Sequence, residues 1–228
     1  MDFVGIDKFS LLDYEDKVSC VLFCKPCNFR CPFCHNGLTV LEAETTIPFD
    51  DIIEYLKSRK GLIDAVVVSG GEPTLMPDLE EKIGVLKGLG FLVKLDTNGT
   101  NPQIIKDLYE KHLIDYVAMD IKNSLKKYPL TAGVKNVDVS KVCQSIEYIM
   151  TSGIDYEFRT TLISEFHELN DIEEISTMLK GAKRLYLQKF VERESCIKKG
   201  LHEVKEDLAN KFLEVLSKNI EFVSLRGY

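Results

Sequence analysis

No run in the 228-residue sequence approaches the roughly 20 consecutive apolar residues that a membrane-spanning helix needs. The opening stretch, MDFVGIDKFSLLDYEDK, is acidic and never settles into an apolar segment behind a basic one, so the pattern of a secretory leader is missing. Basic charge is in deficit. With 29 Lys and Arg against 36 Asp and Glu the net charge is −7, which argues against an extended basic stripe for nucleic acid or an anionic membrane but permits a local patch. Repeats, low-complexity tracts and linkers are also missing, and the expectation is one cytoplasmic domain over residues 1–228 with its core at about 17–190. A hydrophobic content of 45% is enough for a chain of this length to bury a core without disulfides.

Short apolar, β-branched runs alternate with amphipathic stretches. Strands are expected at 17–24, 65–70, 91–97, 115–121, 155–163, 184–190 and 221–225, and helices at 49–60, 78–89, 102–112, 138–152, 170–179 and 204–218. Asp78 and Ser140 are candidate helix caps, and Gly90 and Gly153 suit helix ends. Strands alternating with helices of this length imply βαβ units and a parallel sheet. The fold class is therefore α/β, and six such units fit a partial (β/α)6 TIM-type barrel, with a short N-terminal extension and a C-terminal strand. The longest expected loop is 123–138. In such folds function gathers where strands end, and SGGEPT (69–74), DTNG (96–99) and MDIKN (119–123) all follow strands.

Cysteine is scarce outside one stretch. CKPCNFRCPFCHN (24–36) holds four of the seven cysteines; Cys20, Cys143 and Cys196 are scattered, so no auxiliary cluster is expected. A zinc site built from four cysteines is disfavoured, because only three residues separate Cys24-x2-Cys27 from Cys31-x2-Cys34, whereas zinc ribbons leave a dozen or more. A redox pair of Cys24 and Cys27 leaves two cysteines unexplained. Cys27-x3-Cys31-x2-Cys34 instead offers three soft thiolates in a tight loop, suited to a four-iron cluster with one iron left open.

Cys-x3-Cys-x2-Cys with Phe33 before the third cysteine, followed by GGEP at 70–73, resembles the signature of radical S-adenosylmethionine (SAM) enzymes. CNFRCPFCHN, KFSLLDY, VKLDTNG, DYVAMDIK, YEFRTT and LQKF together resemble glycyl-radical-enzyme activating proteins, most closely the short form that activates anaerobic ribonucleoside-triphosphate reductase. Two features depart from that branch: YEDK (14–17) stands where it has YPGK, and Lys25-Pro26 where it has Gln-Gly. A proline there fixes φ and removes an N–H, and Cys24 is left without a role.

The resemblance implies a [4Fe-4S] cluster on Cys27, Cys31 and Cys34, with SAM on its open iron. One electron from the reduced cluster then cleaves SAM to methionine and a 5′-deoxyadenosyl radical. Gly70, Gly71, Glu72 and Pro73 would bind the methionine end, Glu72 accepting from the ammonium. Lys94/Asp96 and Asp120/Lys122 are each two apart, so each pair shares one face; a structural ion pair is the plainer reading of both. The resemblance adds that Asp96, Thr97 and Asp120 ligate a monovalent cation, with Lys122 near the SAM carboxylate or ribose. Arg159 is placed close to SAM, against a plainer salt bridge to Glu157, and Gln188 and Phe190 at the cavity's far end. His35 is expected to hydrogen-bond or pack near the cluster rather than ligate it.

The implied reaction removes hydrogen from a glycine Cα of a large glycyl radical enzyme, with anaerobic ribonucleotide reductase favoured, and needs no general base. The implied electron donor is a flavodoxin or ferredoxin. Alternatives are activation of a pyruvate formate-lyase type enzyme, a small-molecule radical SAM enzyme such as 7-carboxy-7-deazaguanine synthase, or a zinc- or thiol-based binding module.

Overall fold

A computed structural model describes residues 3–37 and 45–228. Its frame is an eight-stranded sheet in which spatial order follows chain order. β1 (Gly5–Ser10) runs antiparallel to β2 (Ser19–Cys24). From β2 onward every pairing is parallel, through β3 (Ala65–Gly70), β4 (Leu92–Thr97), β5 (Tyr116–Asp120), β6 (Asp155–Leu162), β7 (Arg184–Lys189) and β8 (Phe222–Arg226). Parallel neighbours need crossovers. The helices that supply them are α1 (Phe49–Ser58), α2 (Leu79–Gly88), α3 (Pro102–Glu110), α5 (Val139–Thr151), α6 (Leu169–Met178) and α7 (Glu206–Leu216). β1 and β8 are the two ends of the strand order, so the sheet is an incomplete barrel of six βα units and a final strand, as the alternation predicts.

Two elements differ from the expectation. β1 forms within the N-terminal extension, where the sequence shows no strand signal because the stretch exposes Phe9 and Lys8 and carries no clean alternation. The long loop contains a short helix, α4 (Tyr128–Ala132), anchored by fully buried Tyr128. Capping also shifts. Asp138, not Ser140, caps α5, its side chain accepting from the Ser140 N–H at 3.2 Å. Asp78 precedes α2 but reaches Lys82 at 2.8 Å instead of a cap donor. Gly90 and Gly153 have φ of 91° and 88°, the left-handed geometry expected past a helix end.

The helices bury one stripe each against the outer face of the sheet. In α1, Ile52, Ile53 and Leu56 point inward; each such side chain contributes on the order of 1.5–3 kcal/mol. Strand alternation sends Cys20, Leu22 and Cys24 into this layer and Val21 and Phe23 into the lumen. At the strand starts the lumen is filled by Tyr14, Val21, Ala65, Val67 and Tyr116. This apolar plug leaves the C-terminal strand ends as the place where a cavity opens. Among the described residues no helix is long and apolar enough to cross a membrane.

α4 ends on Gly133, whose φ is 69° and where a Cβ would overlap the Arg30 carbonyl oxygen. Gly61 has a similar φ of 84° but faces open space. Gly133→Ala is therefore expected to lower Tm well beyond Gly61→Ala, each further kcal/mol costing roughly 2–4 °C in a chain of this size. Equal losses in thermal unfolding would contradict this packing.

Candidate active site

A cavity of about 420 Å³ opens at the strand ends. One wall is the loop after β2, which presents Cys27, Cys31 and Cys34. Cys24 is absent from that wall. As the last residue of β2 it faces the helix layer, fully buried, and burial pushes its thiol up to about 12. Burial likewise raises Cys27, Cys31 and Cys34, Cys31 to about 12, while the Lys122 ammonium opposes it in all three. Three thiols facing one cavity beside one cation suit a soft metal cluster that replaces their protons. Among the described residues no group of three His, Cys, Asp or Glu could hold a single metal ion.

The loop after β3 is pressed against the cysteine loop. Gly71 N–H donates to the Cys24 carbonyl at 2.8 Å and Glu72 N–H to the Pro26 carbonyl at 2.6 Å. Gly70 has φ of 102°, and a Cβ on Gly71 would overlap the Pro26 carbonyl, so both glycines are required for the approach. Gly70 and Gly71 line the cavity; Glu72 and Pro73 lie behind it. This corrects the expectation that Glu72 receives a ligand ammonium. Its carboxylate is fully buried and already accepts from Thr74 N–H (3.2 Å), Thr74 Oγ1 (2.6 Å), Thr97 Oγ1 (2.7 Å) and Asn98 N–H (2.6 Å). Burial still pushes it upward despite those donors. Glu72 braces the loop after β4 against the loop after β3.

Across the cavity lie the charges. Asp120 is level with Arg159 in the β5–β6 register, and Arg159 Nε donates to Asp120 Oδ1 at 2.9 Å while Nη1 donates to Asp96 Oδ2 at 3.2 Å. Lys122 grips Asp120 Oδ2 at 2.9 Å and sits 5.9 Å over the Phe33 ring. Burial would raise Asp120, but Lys122 and Arg159 outweigh it and hold the carboxyl at about 2. The plainer partner for Arg159, Glu157, is 3.9 Å away and is instead held by Arg226 at 2.8 Å and Lys94 at 3.4 Å. The paired-charge reading of Lys94 with Asp96 holds only loosely, at 3.8 Å. Asp96, Thr97 and Asp120 do not converge as a cation set. The Arg159 guanidinium lies between the carboxylates, and the Thr97 hydroxyl is turned to Glu72. A guanidinium already supplies the positive charge there.

One acceptor is left over. Asp96 Oδ1 is buried without a hydrogen-bond partner and faces the Lys94 ammonium at 3.8 Å. Gln188 lines the cavity, whereas Phe190 stacks on His35 at 5.9 Å, outside the lining. His35 Nε2 lies 2.9 Å from the Val191 carbonyl, so it packs beside the loop as expected. Sequence reasoning missed Asn28, which joins the cysteine loop to the loop after β4 through Thr100 (2.9 Å) and Asn98 (2.8 Å). It also missed Asp13, Ser69 and Arg193 in the lining. Ser69 shares the lumen-facing alternation of its strand and was legible; Asp13 and Arg193 reach the cavity from distant loops.

A family model for the radical SAM superfamily matches residues 21–179. The chain belongs to the radical SAM superfamily. It is an enzyme of that kind, whose cofactors are a [4Fe-4S] cluster and SAM. It is 33% identical over 97% of its length to a Methanocaldococcus jannaschii protein, MJ1227, named as a candidate glycyl-radical enzyme activating enzyme, covering 94% of that protein. It is 33% identical over 45% of its length to the pyruvate formate-lyase-activating enzyme of Staphylococcus aureus, of which it covers 46%. Streptococcus suis SuiB, solved with S-adenosylmethionine, has the same fold at TM-score 0.68 and 16% identity; 89% of this chain is covered, and it spans 48% of SuiB. The site fits these cofactors: the thiol wall supplies soft ligands, and the glycine pair brings backbone close.

Two outcomes are expected. After anaerobic reconstitution, Cys24→Ala retains about four irons per chain and Cys27→Ala, Cys31→Ala or Cys34→Ala loses them; iron loss in Cys24→Ala would overturn the assignment. Asp120, depressed to about 2 from the ordinary 3.8, stabilises the fold above about pH 4 and loses that contribution as pH falls toward 2. The stability gap between wild type and Asp120→Asn in denaturant unfolding should narrow over that range, and a constant gap would contradict the ion network.

Proposed function

We propose that this chain is an activase that abstracts hydrogen from a glycine of anaerobic ribonucleoside-triphosphate reductase, leaving a glycyl radical on that large partner. The observation that carries the activase reading is the near full-length likeness to MJ1227 combined with a cavity that brings three cysteines, a glycine pair and the Asp96–Arg159–Asp120 bridge together. Cys27, Cys31 and Cys34 hold the cluster. When bound, the cluster and SAM supply the one-electron reduction and the hydrogen-abstracting carbon radical. The protein's own groups bind and orient. Gly70 and Gly71 bring peptide groups to the methionine end, Asp96 and Asp120 offer carboxylates in the same wall, and Lys122 and Arg159 offer cations to a carboxylate or ribose oxygens.

No residue is asked to move a proton. The ribonucleotide reductase assignment rests on the motif resemblance. Activation of a pyruvate formate-lyase type enzyme is a second reading, supported by the Staphylococcus aureus relative.

The test is reductive SAM cleavage by the reconstituted protein, followed by co-incubation with each candidate enzyme and detection of a glycyl radical by electron paramagnetic resonance. A radical on the ribonucleotide reductase alone is the expected result. Stoichiometric zinc without SAM cleavage would sink the activase reading, and a radical only on the formate-lyase would replace the partner.

A further inference from the structure

The acidic balance of the chain is unevenly distributed. Residues 24–37, 122–135 and 191–200 hold nine Lys or Arg against two Glu and no Asp, while the rest of the chain holds twenty basic residues against thirty-four acidic ones. These three segments are remote in sequence but form one surface around the cysteine loop. Arg30 N–H donates to the Ala132 carbonyl and Lys198 N–H to the Pro32 carbonyl, each at 2.8 Å. On the surface so formed, Arg30, Lys126, Lys135, Arg193, Lys198 and Lys199 are exposed.

Their charges are uncompensated. Arg30 donates to the Cys27 and Phe29 carbonyls and Lys199 to the Arg193 carbonyl, and among the described residues none of the six has an acidic side chain within ion-pair distance. Lys127, by contrast, is committed to Asp171 at 2.7 Å and Glu168 at 3.3 Å. Glu192 is turned to the Gly200 N–H at 2.5 Å. A cationic collar on an otherwise acidic molecule repels itself and favours an acidic protein over it. The collar also lies over the cysteines: Arg30 is between Cys27 and Cys31, and Pro32, which Lys198 tethers, is between Cys31 and Cys34.

Chemistry selects among acidic proteins. Each reductive cleavage consumes one electron, which the cluster and SAM do not regenerate between turnovers. The electron therefore arrives from outside, and the collar is assembled on the loop that carries the cluster ligands. We propose that the collar docks an acidic one-electron carrier protein that reduces the cluster on Cys27, Cys31 and Cys34, a proposal that rests on the activase reading of that site. In the transfer the carrier is oxidised by one electron and the cluster reduced by one. No bond forms or breaks, and a flavin carrier passing from anionic hydroquinone to neutral semiquinone keeps its N5 proton.

The experiment uses the iron-loaded full chain and measures cluster bleaching by stopped flow with a reduced acidic flavodoxin, alongside photoreduced deazaflavin as a small reductant. Lys126→Glu, Lys135→Glu and Lys198→Glu are combined. A second triple variant, Lys57→Glu, Lys180→Glu and Lys218→Glu, reverses exposed charges at the helix C-termini, on the opposite end of the barrel. The collar variant should lose about tenfold or more in flavodoxin rate at low salt and most of the wild-type salt dependence. Its iron content and deazaflavin reduction should match wild type, and the remote variant should react like wild type. Equal effects of the two triples would overturn the docking surface. So would an unchanged flavodoxin rate with weakened binding of the glycyl radical enzyme, which would assign the collar to that partner. Absence of iron from the wild-type chain would instead overturn the cofactor reading, and deazaflavin reduction of an iron-loaded chain separates the two failures.

Discussion

A single guanidinium lies between two carboxylates on neighbouring strands inside this barrel. Arg159 reaches Asp120 at 2.9 Å and Asp96 at 3.2 Å, and removing one partner from such a buried set leaves an uncompensated charge. The bridge holds three strand ends in register at the cavity, and with Asp120 fixed, Lys122 is held over Phe33 beside the cysteines. The same bridge commits Asp96 Oδ2 to Arg159 and leaves Oδ1 toward Lys94 at 3.8 Å. Ion pair and cavity wall, which look like competing readings in a sequence, are here the same residues.

A second set of contacts depends on close backbone approach. The cysteine loop is clasped by the loop after β3 through Gly71 and Glu72 and by α4 through Arg30 and Gly133. Proline at 26, the departure from the family pattern, is compatible with this because its carbonyl, not its missing N–H, makes the contact. Glu72 serves the clasp from behind. Its buried carboxylate collects four donors from two loops, so a residue within the most recognisable motif of the chain acts by positioning its neighbours.

Much of the site was legible before any coordinates. The Cys-x3-Cys-x2-Cys spacing, the glycine pair after a strand and the alternating charges in VKLDT and AMDIK each specify residue, element and face. Alternation in SCVLFC also carried the answer to Cys24, since it shares the face of Cys20 and Leu22. What could not be read was which charge meets which. Arg159 is two positions from Glu157, yet its bonds go to Asp96 and Asp120 on other strands, because register brings Asp120 level with it. The collar was equally hidden, since an acidic total conceals a basic surface assembled from three remote segments.

The sequence by itself determined the order of strands and helices, the clustering of three cysteines in one loop and the end of the barrel at which the motifs gather, because periodicity and short-range spacing are local properties of the chain. Only the tertiary structure decided that Glu72 is a brace, that the Thr97 hydroxyl is committed to it, that Arg159 supplies the charge between two carboxylates, and that scattered lysines make one surface. Those outcomes depend on strand register and loop packing, which place residues tens of positions apart within a few ångströms, and no local pattern encodes that placement.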